Sequence, residues 1–294
     1  MLTKSDRQIL ISSYEEYNQK IRKKWMSIFL RIGMIMLAGL IVVFFTTNWM
    51  ESNGVPILFY ILLGVALMFL GISQLVNQYM YSSKSTYEVL LPKLIEKINL
   101  YEESVYKYEA YVKERKTINK ESQLFTRGAS VTVFSEIKGT NQYLEEWSLL
   151  DIRVIISTGK STSVLFDGFV YVIDRPNTVA FQLRSASRPS NKPVKFKKDI
   201  PINDYKLFVE EEGKTPSLVD DVGIILKKID DMFHVKHLYF SAMPNKTYLA
   251  IQKKDLPRKK RKIDDDIVQK MYDDLKRYLH ISDMLGDGQY HFDY

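Results

Sequence analysis

Acidic residues are the most abundant source of possible chemistry in this chain. Carboxylates recur as neighbouring pairs and one triplet, at 145–146, 220–221, 230–231, 273–274 and 264–266. A carboxylate pair can perform acid–base chemistry when a pocket forces the two pKa values apart. Neighbours on a helix point in different directions, so these runs indicate solvated charged faces. Asp151, Asp167 and Asp174 lie in or beside predicted strands, where they could line a cleft.

Other catalytic and metal-binding patterns are missing from the sequence. The chain has no cysteine, which excludes disulfides, zinc–thiolate sites, iron–sulfur clusters and thiol catalysis. It has no phosphate-binding loop, dinucleotide fingerprint, nucleophile elbow or HExxH motif. His234 and His237 have an i, i+3 spacing, but they fall where a helix gives way to a strand, which would put them on opposite faces. We therefore predict no catalytic residues, no metal site and no cofactor.

Basic residues concentrate in the run 253–262, which holds seven Lys and Arg and one acid. Runs of this kind resemble nuclear localisation signals but recur by chance. Attraction to anionic lipid is an alternative, in which each basic residue near the surface contributes about 1 kcal/mol. A solvated surface is the other alternative, and nucleic-acid binding is not expected because no stacking platform accompanies the run. The residues predicted to contact lipid headgroups are Arg22, Lys23, Lys24, Arg31, Arg258, Lys259, Lys260, Arg261 and Lys262.

Two apolar stretches near the N terminus predict a transmembrane hairpin. The chain has 294 residues and a formal charge of +7, yet residues 25–83 carry only two charges. Spans at about 25–46 and 57–76 each reach the length of about 20 residues that a bilayer core requires. Six basic residues precede the first span and the link has none, so the positive-inside rule predicts two cytoplasmic termini. The predicted location is the cell membrane, with two spans.

A helical neck is predicted next, over residues 84–126. Its apolar residues alternate steps of four and three, which is typical of a heptad seam, and Pro92 interrupts it. The seam either pairs two copies as a coiled coil or packs on its own domain, and tyrosines at core positions favour the second alternative. The residues of this self-association seam are Leu94, Ile98, Tyr101, Val105, Tyr108 and Val112.

The remaining residues, 127–294, predict a cytoplasmic α+β domain. The β-rich runs 130–137, 149–157, 163–174 and 178–184 are separated by turn residues and indicate an antiparallel meander. A helix over 218–233, a hairpin over 238–251 and a final helix from about 264 to 279 follow. The predicted fold class is therefore membrane-anchored α+β: a two-helix transmembrane hairpin with its N-terminal segment (1–83), the neck, and an antiparallel β-sheet domain with packed helices.

Four segments carry a resemblance to a known family. The strand Val164–Val170 has a Phe-x-Gly-x-Phe/Val-type core, and the segments Asp204–Val209, Leu218–Phe233 and Leu238–Ile251 follow it in the same order. In this the chain resembles, over nearly its whole length, an uncharacterised family of bacterial two-helix membrane proteins. The resemblance implies the same architecture and no established activity. Members often occur beside LemA-type membrane proteins, which implies a protein partner.

These observations lead to three functional hypotheses. The first is a non-catalytic, membrane-anchored cytoplasmic module for protein binding or scaffolding. The second is a hydrolase-type enzyme with an unrecognised carboxylate site built from residues such as Asp151 and Asp167. The third is a domain that responds to anionic lipid. The predicted partners are membrane lipid and a membrane or cytoplasmic protein, with a homo-oligomer as a further possibility.

Overall fold

The computed structural model describes residues 1–51, 86–110, 117–125, 128–157, 161–177, 179–185, 200–202, 205–209, 219–253 and 262–286. The chain forms two compact units. One, called the helical unit after its described elements, comprises residues 3–90 and 258–268. The other, called the sheet unit, comprises residues 1–2, 91–257 and 269–294.

The helical unit contains α1, which runs from Lys4 to Glu51. Thr3 caps its N terminus, because the Asp6 backbone amide donates to Thr3 Oγ1 (3.1 Å) and the Thr3 amide donates to Asp6 Oδ2 (3.1 Å). This reciprocal arrangement is a capping box, which satisfies backbone donors that the first helical turn leaves open. A hydrogen bond of 2.9 Å between the hydroxyls of Tyr14 and Thr86 connects α1 to the start of α2 (Thr86–Glu102).

The prediction of a membrane-anchored fold is wrong. No helix formed by the described residues combines the length and the apolarity needed to cross a membrane. The stretch 25–46 is not a separate helix but part of α1, which starts among the charged residues of the N terminus and includes Arg31. The fold class, the two-pass membrane description and the cell-membrane location are corrected accordingly. The second predicted span, 57–76, lies outside the described residues.

The sheet unit is built on antiparallel strands. The described residues form nine strands: β1 (Lys107–Ala110), β2 (Ser130–Thr140), β3 (Glu146–Ser157), β4 (Thr162–Ile173), β5 (Phe181–Ser185), β6 (Ile200–Ile202), β7 (Tyr205–Val209), β8 (Val235–Met243) and β9 (Lys246–Lys253). Neighbouring strands pair in the order β1-β2-β3-β4-β9-β8-β5-β7-β6.

Three further helices complete the described elements: α3 (Ile118–Ser122), α4 (Val219–Phe233) and α5 (Asp265–Gly286). The helix predicted at 218–233 and the hairpin at 238–251 are confirmed to within a few residues, and the final helix is confirmed but extends to Gly286. The predicted meander is confirmed for β2, β3 and β4, whereas β5 pairs with β7 and β8 rather than with β4. In the range 84–126 the structure differs from a continuous helix. The helix α2 ends at Glu102, Glu103 takes a left-handed φ of 51°, and a strand begins at Lys107.

Each face of the sheet buries apolar side chains beneath a different helix. On the α3 face, Phe166 and Val170 of β4 pack with Ile118 and Leu124. On the α5 face, the Phe169 ring lies 4.7 Å from the ring of Tyr278. These two sets alternate along β4, as the two-residue period of a strand requires.

Gly168 marks a close backbone approach between β4 and β9. A Cβ atom there would lie 2.2 Å from the carbonyl oxygen of Ile251 in β9. Any side chain at this position would therefore push β4 and β9 apart.

Candidate functional site

The described part of the sheet unit has a groove at its β1 edge. The groove lies where β1 to β4 meet the β2–β3 turn, and its volume is about 500 Å³. We call it the edge groove; it is lined by Val105, Lys107, Lys138, Gly139, Thr140, Glu146, Trp147, Ser148, Val172 and Asp174. Cross-strand pairing puts several of these residues side by side, with Lys107 opposite Lys138 and Lys138 opposite Ser148. The groove therefore follows the sheet across its outermost strands.

Charges of both signs line the edge groove. Lys138 Nζ lies 3.6 Å from a carboxylate oxygen of Glu109 and 3.4 Å from one of the buried Glu136, so neighbouring acids already balance its charge. Lys246 Nζ pairs in the same way with Asp174 Oδ1, at 3.0 Å.

Lys107 and Glu146 differ from these paired charges. Both side chains are exposed, and neither has an ion-pair partner within the described ranges. They are two strands apart, which from strand spacing and rise amounts to roughly 12 Å between their Cα atoms. Among the described residues of the groove, Lys107 is thus a cation and Glu146 an anion without a counter-ion.

Trp147 lines the groove, but its indole ring lies on the opposite face of β3 from Ser148 and Val172. Its ring lies 5.7 Å from the ring of Tyr106 and 6.2 Å from that of Tyr171. Gly139 faces it across the strand pair, where an added Cβ atom would come within 2.5 Å of the indole. Among the described residues, the buried Trp147 Nε1 has no hydrogen-bond acceptor.

The β2–β3 turn, residues 141–145, is held by its own hydrogen bonds. The backbone amides of Tyr143 and Glu145 both donate to Asn141 Oδ1, at 3.0 and 2.9 Å. The Leu144 amide donates to the Asn141 carbonyl at 3.0 Å, and the Asn141 amide donates to the Glu145 carbonyl at 3.0 Å. The side-chain carbonyl of Asn141 therefore accepts hydrogen bonds as a backbone carbonyl does in a turn, which is the arrangement called an Asx-turn.

Arg175 fixes this turn to the rest of the sheet unit. Its Nε donates to Glu145 Oε1 at 2.6 Å and its Nη2 donates to Glu145 Oε2 at 2.5 Å, while Nη1 donates to the Leu285 carbonyl at 2.9 Å. Partial burial would raise the pKa of Glu145, but hydrogen bonds from Arg175 and Asn141 outweigh it and hold that pKa below its ordinary value. The end of α5 and the β2–β3 turn are thus joined through one guanidinium.

Two large side chains at the end of this turn are exposed. Tyr143 is 42% exposed and Leu144 is 85% exposed. Leu144 also has a φ of 63°, a left-handed conformation that costs a residue with a Cβ atom about 1 kcal/mol. We call Tyr143 and Leu144 the hairpin tip. A rigid turn therefore holds an apolar side chain in solvent and in an unfavourable backbone conformation.

The predicted carboxylate cleft takes a different form. Arg153 Nε donates to Asp167 Oδ2 at 2.8 Å, and the guanidinium also lies 5.4 Å from the centre of the Phe134 ring. The Asp167 side chain is 8% exposed. Asp151 lies two residues before Arg153 on β3, opposite Phe169 of β4. Asp167 is therefore part of an ion pair. In the portions of the chain that are described, no cluster of His, Asp and Glu suits a metal ion.

The residues predicted to contact lipid are only partly described. Arg22, Lys23, Lys24 and Arg31 are exposed on α1, and Lys262 is exposed before α5. Arg258, Lys259, Lys260 and Arg261 lie outside the described residues. Headgroup contact by these residues stays a prediction.

The predicted self-association seam is divided between different environments. Leu94 and Ile98 are fully buried on α2, whereas Tyr101 and Val105 are exposed. Tyr108 belongs to strand β1, and the final seam residue, Val112, lies outside the described residues. Coiled-coil pairing through the seam stays a prediction.

Comparison with known proteins adds little. No family model matches the chain, and no curated protein matches it. Among solved structures, the mycobacterial trehalose monomycolate transport factor A, TtfA, is similar with a TM-score of 0.31 and 12% identity, over 60% of this chain and 88% of that one. Similarity this weak carries no argument about function. The resemblance to the two-helix membrane protein family stays a prediction.

Proposed function

We propose that this chain is a protein-binding module and that its edge groove holds a polypeptide segment of the partner. The observation that carries the proposal is the groove itself, which is open, lined by charges of both signs and placed at an edge of the sheet. Protein interfaces combine an apolar centre with a polar rim. Val105 and Val172 would supply the apolar part, and Lys107 and Glu146 the rim.

Strand β1 supports the same proposal. Within the described residues it pairs with β2 on one side and with no strand on the other. An edge strand presents backbone amides and carbonyls that a segment of another chain can pair with. Three of the four β1 side chains are exposed, so a partner segment could approach this edge directly.

The lining also favours a protein segment over a small molecule. Small-ligand pockets are mostly apolar with a few placed polar groups. Here only Val105, Val172 and Trp147 are large and apolar, while the other positions are charged, hydroxylated or glycine. A polypeptide, with its regular backbone and mixed side chains, matches such a surface.

Site-specific photo-cross-linking in the native cell tests this proposal. A photoreactive residue at Glu109, which is exposed in β1, should give an adduct of defined mass with a protein. The matched control places the same residue at Asp231, which is exposed on α4 and remote from the groove in sequence. No adduct from position 109, or equal adducts from both positions, would contradict the proposal.

A further inference from the structure

The hairpin tip lies directly beside the edge groove. The residues that flank the turn, Thr140 at the end of β2 and Glu146 at the start of β3, both line the groove. A projecting apolar turn and a concave surface therefore lie side by side at this edge of the sheet unit. A two-fold axis next to such a face brings the projection of each copy to the concavity of the other.

The charges of this face are complementary to themselves. Lys107 and Glu146 are the two groove charges for which no ion-pair partner occurs within the described ranges. The same two-fold axis that exchanges the hairpin tips would place Lys107 of each copy near Glu146 of the other. Two ion pairs would form, and neither charge would be left at the interface without a partner.

We infer that the edge groove of one copy receives the hairpin tip of a second copy, in a two-fold symmetric pair. This inference rests on the proposed function, since it names the partner that occupies the groove. It also accounts for Leu144, because burial in the second copy would compensate the exposure and the left-handed φ of that residue.

Sedimentation equilibrium of the full chain tests the role of the tip. The wild-type chain should associate as a dimer. Leu144→Ser should raise the dissociation constant of the dimer at least about tenfold, because the apolar side chain that the groove receives is lost. Ile224→Ser is the matched control, since Ile224 is an apolar residue on α4 that is also exposed, at 56%. Thermal melts of the variants check that each remains folded.

A charge exchange tests the symmetry of the pair. Lys107→Glu and Glu146→Lys should each weaken self-association, because like charges then face each other twice. A mixture of the two variants should associate at near wild-type affinity, since both contacts become attractive in the mixed pair. If the two substitutions weakened association for another reason, the mixture would associate no better than either variant alone.

The inference and the proposed function fail in different ways. A wild-type chain that stays monomeric, or association that is unchanged by Leu144→Ser, would overturn the inference. A defined adduct from position 109 with a different protein would in that case still uphold the proposed function. No adduct from position 109 together with a monomeric chain would overturn both.

Discussion

Two hairpins of the sheet unit are held by side chains of the segment 175–177, yet their turns expose different kinds of residue. The β8–β9 hairpin closes with the exposed residues Pro244 and Asn245, and Asn177 Nδ2 donates to the Met243 carbonyl at 2.6 Å and to the Lys246 carbonyl at 3.3 Å. The β2–β3 hairpin is held two residues earlier in the segment, through Arg175. The first turn is bound to its own chain and exposes only polar and proline side chains. The second exposes Tyr143 and Leu144.

The two turns are both held by side-chain hydrogen bonds, but they differ in what they expose. The exposed leucine of the second turn is therefore not explained by a turn without such bonds. A turn that merely reversed the chain would gain stability from Gly or Asn at position 144, where φ is positive. A rigid, exposed and strained apolar residue indicates a contact outside the chain.

The largest expected effect comes from breaking the β8–β9 restraint. Asn177→Ala removes the amide that serves the carbonyls of Arg175, Met243 and Lys246, leaving part-buried acceptors without their donor. We expect a loss of about 2–3 kcal/mol in the free energy of unfolding, measured by chemical denaturation. Asn245→Ala, at the exposed turn itself, is the control and should change stability by less than about 0.5 kcal/mol. Equal effects of the two variants would refute this assignment.

Breaking the β2–β3 restraint should have the next largest effect. Arg175→Met keeps the aliphatic stem but leaves Glu145 and the Leu285 carbonyl without the guanidinium. Because both side chains of the pair remain partly exposed, we expect a loss of about 1–2 kcal/mol rather than the larger value of a fully buried pair. Amide exchange in residues 141–145 should also accelerate. Arg277→Met, at an exposed position of α5, is the control: it should neither lower the free energy of unfolding nor accelerate amide exchange in residues 141–145.

Acid should act on the same restraint. The pKa of Glu145 is lower in the folded chain than its ordinary value of 4.5, so the unfolded chain binds more protons in this range. The carboxylate contributes stability that is complete above about pH 4.5 and is lost as the pH falls through the folded pKa. Glu145→Gln should therefore flatten the pH dependence of stability below about pH 5 relative to wild type. An unchanged slope would show that the pair does not titrate as described.

The smallest expected effect has the opposite sign. Leu144→Asn places at the left-handed position a residue that tolerates it, and should raise the free energy of unfolding of the monomer by up to about 1 kcal/mol. The same change removes the apolar anchor and should weaken association. Thermal unfolding of dilute protein measures the first effect and sedimentation the second. A variant that lost stability and kept association would contradict the role given to the tip.

Local patterns in the sequence predict much of the sheet. Two-residue alternation places β2 to β4 to within a few residues, and Pro244-Asn245 identifies the β8–β9 turn. These features depend on neighbours in the chain or on one residue type, which is why a single sequence reveals them.

Features that depend on distant partners were missed. Tyr108 fits the heptad seam, but pairing of β1 with β2, some 30 residues later, and the left-handed Glu103 override that period. Arg175 and Glu145 are 30 residues apart and carry no local signal. The tip was missed because turn chemistry predicts Gly or Asn at a positive φ, and leucine stands there. The membrane spans were predicted from apolar composition alone, which did not anticipate that 25–46 belongs to a longer helix with a charged beginning.

Cross-linking from the two hairpin turns is the most direct test that the hairpin tip of one copy lies in the edge groove of another. A photoreactive residue at Tyr143 or at Asn245 is placed in an equal mixture of unlabelled and ¹⁵N-labelled full chain, and mass spectrometry identifies the joined peptides. We expect adducts from position 143 that join two different copies at the peptide containing Lys138, and no adducts between copies from position 245. Adducts between copies from position 245 alone, or no adducts between copies from either position, would contradict the two-fold symmetric pair.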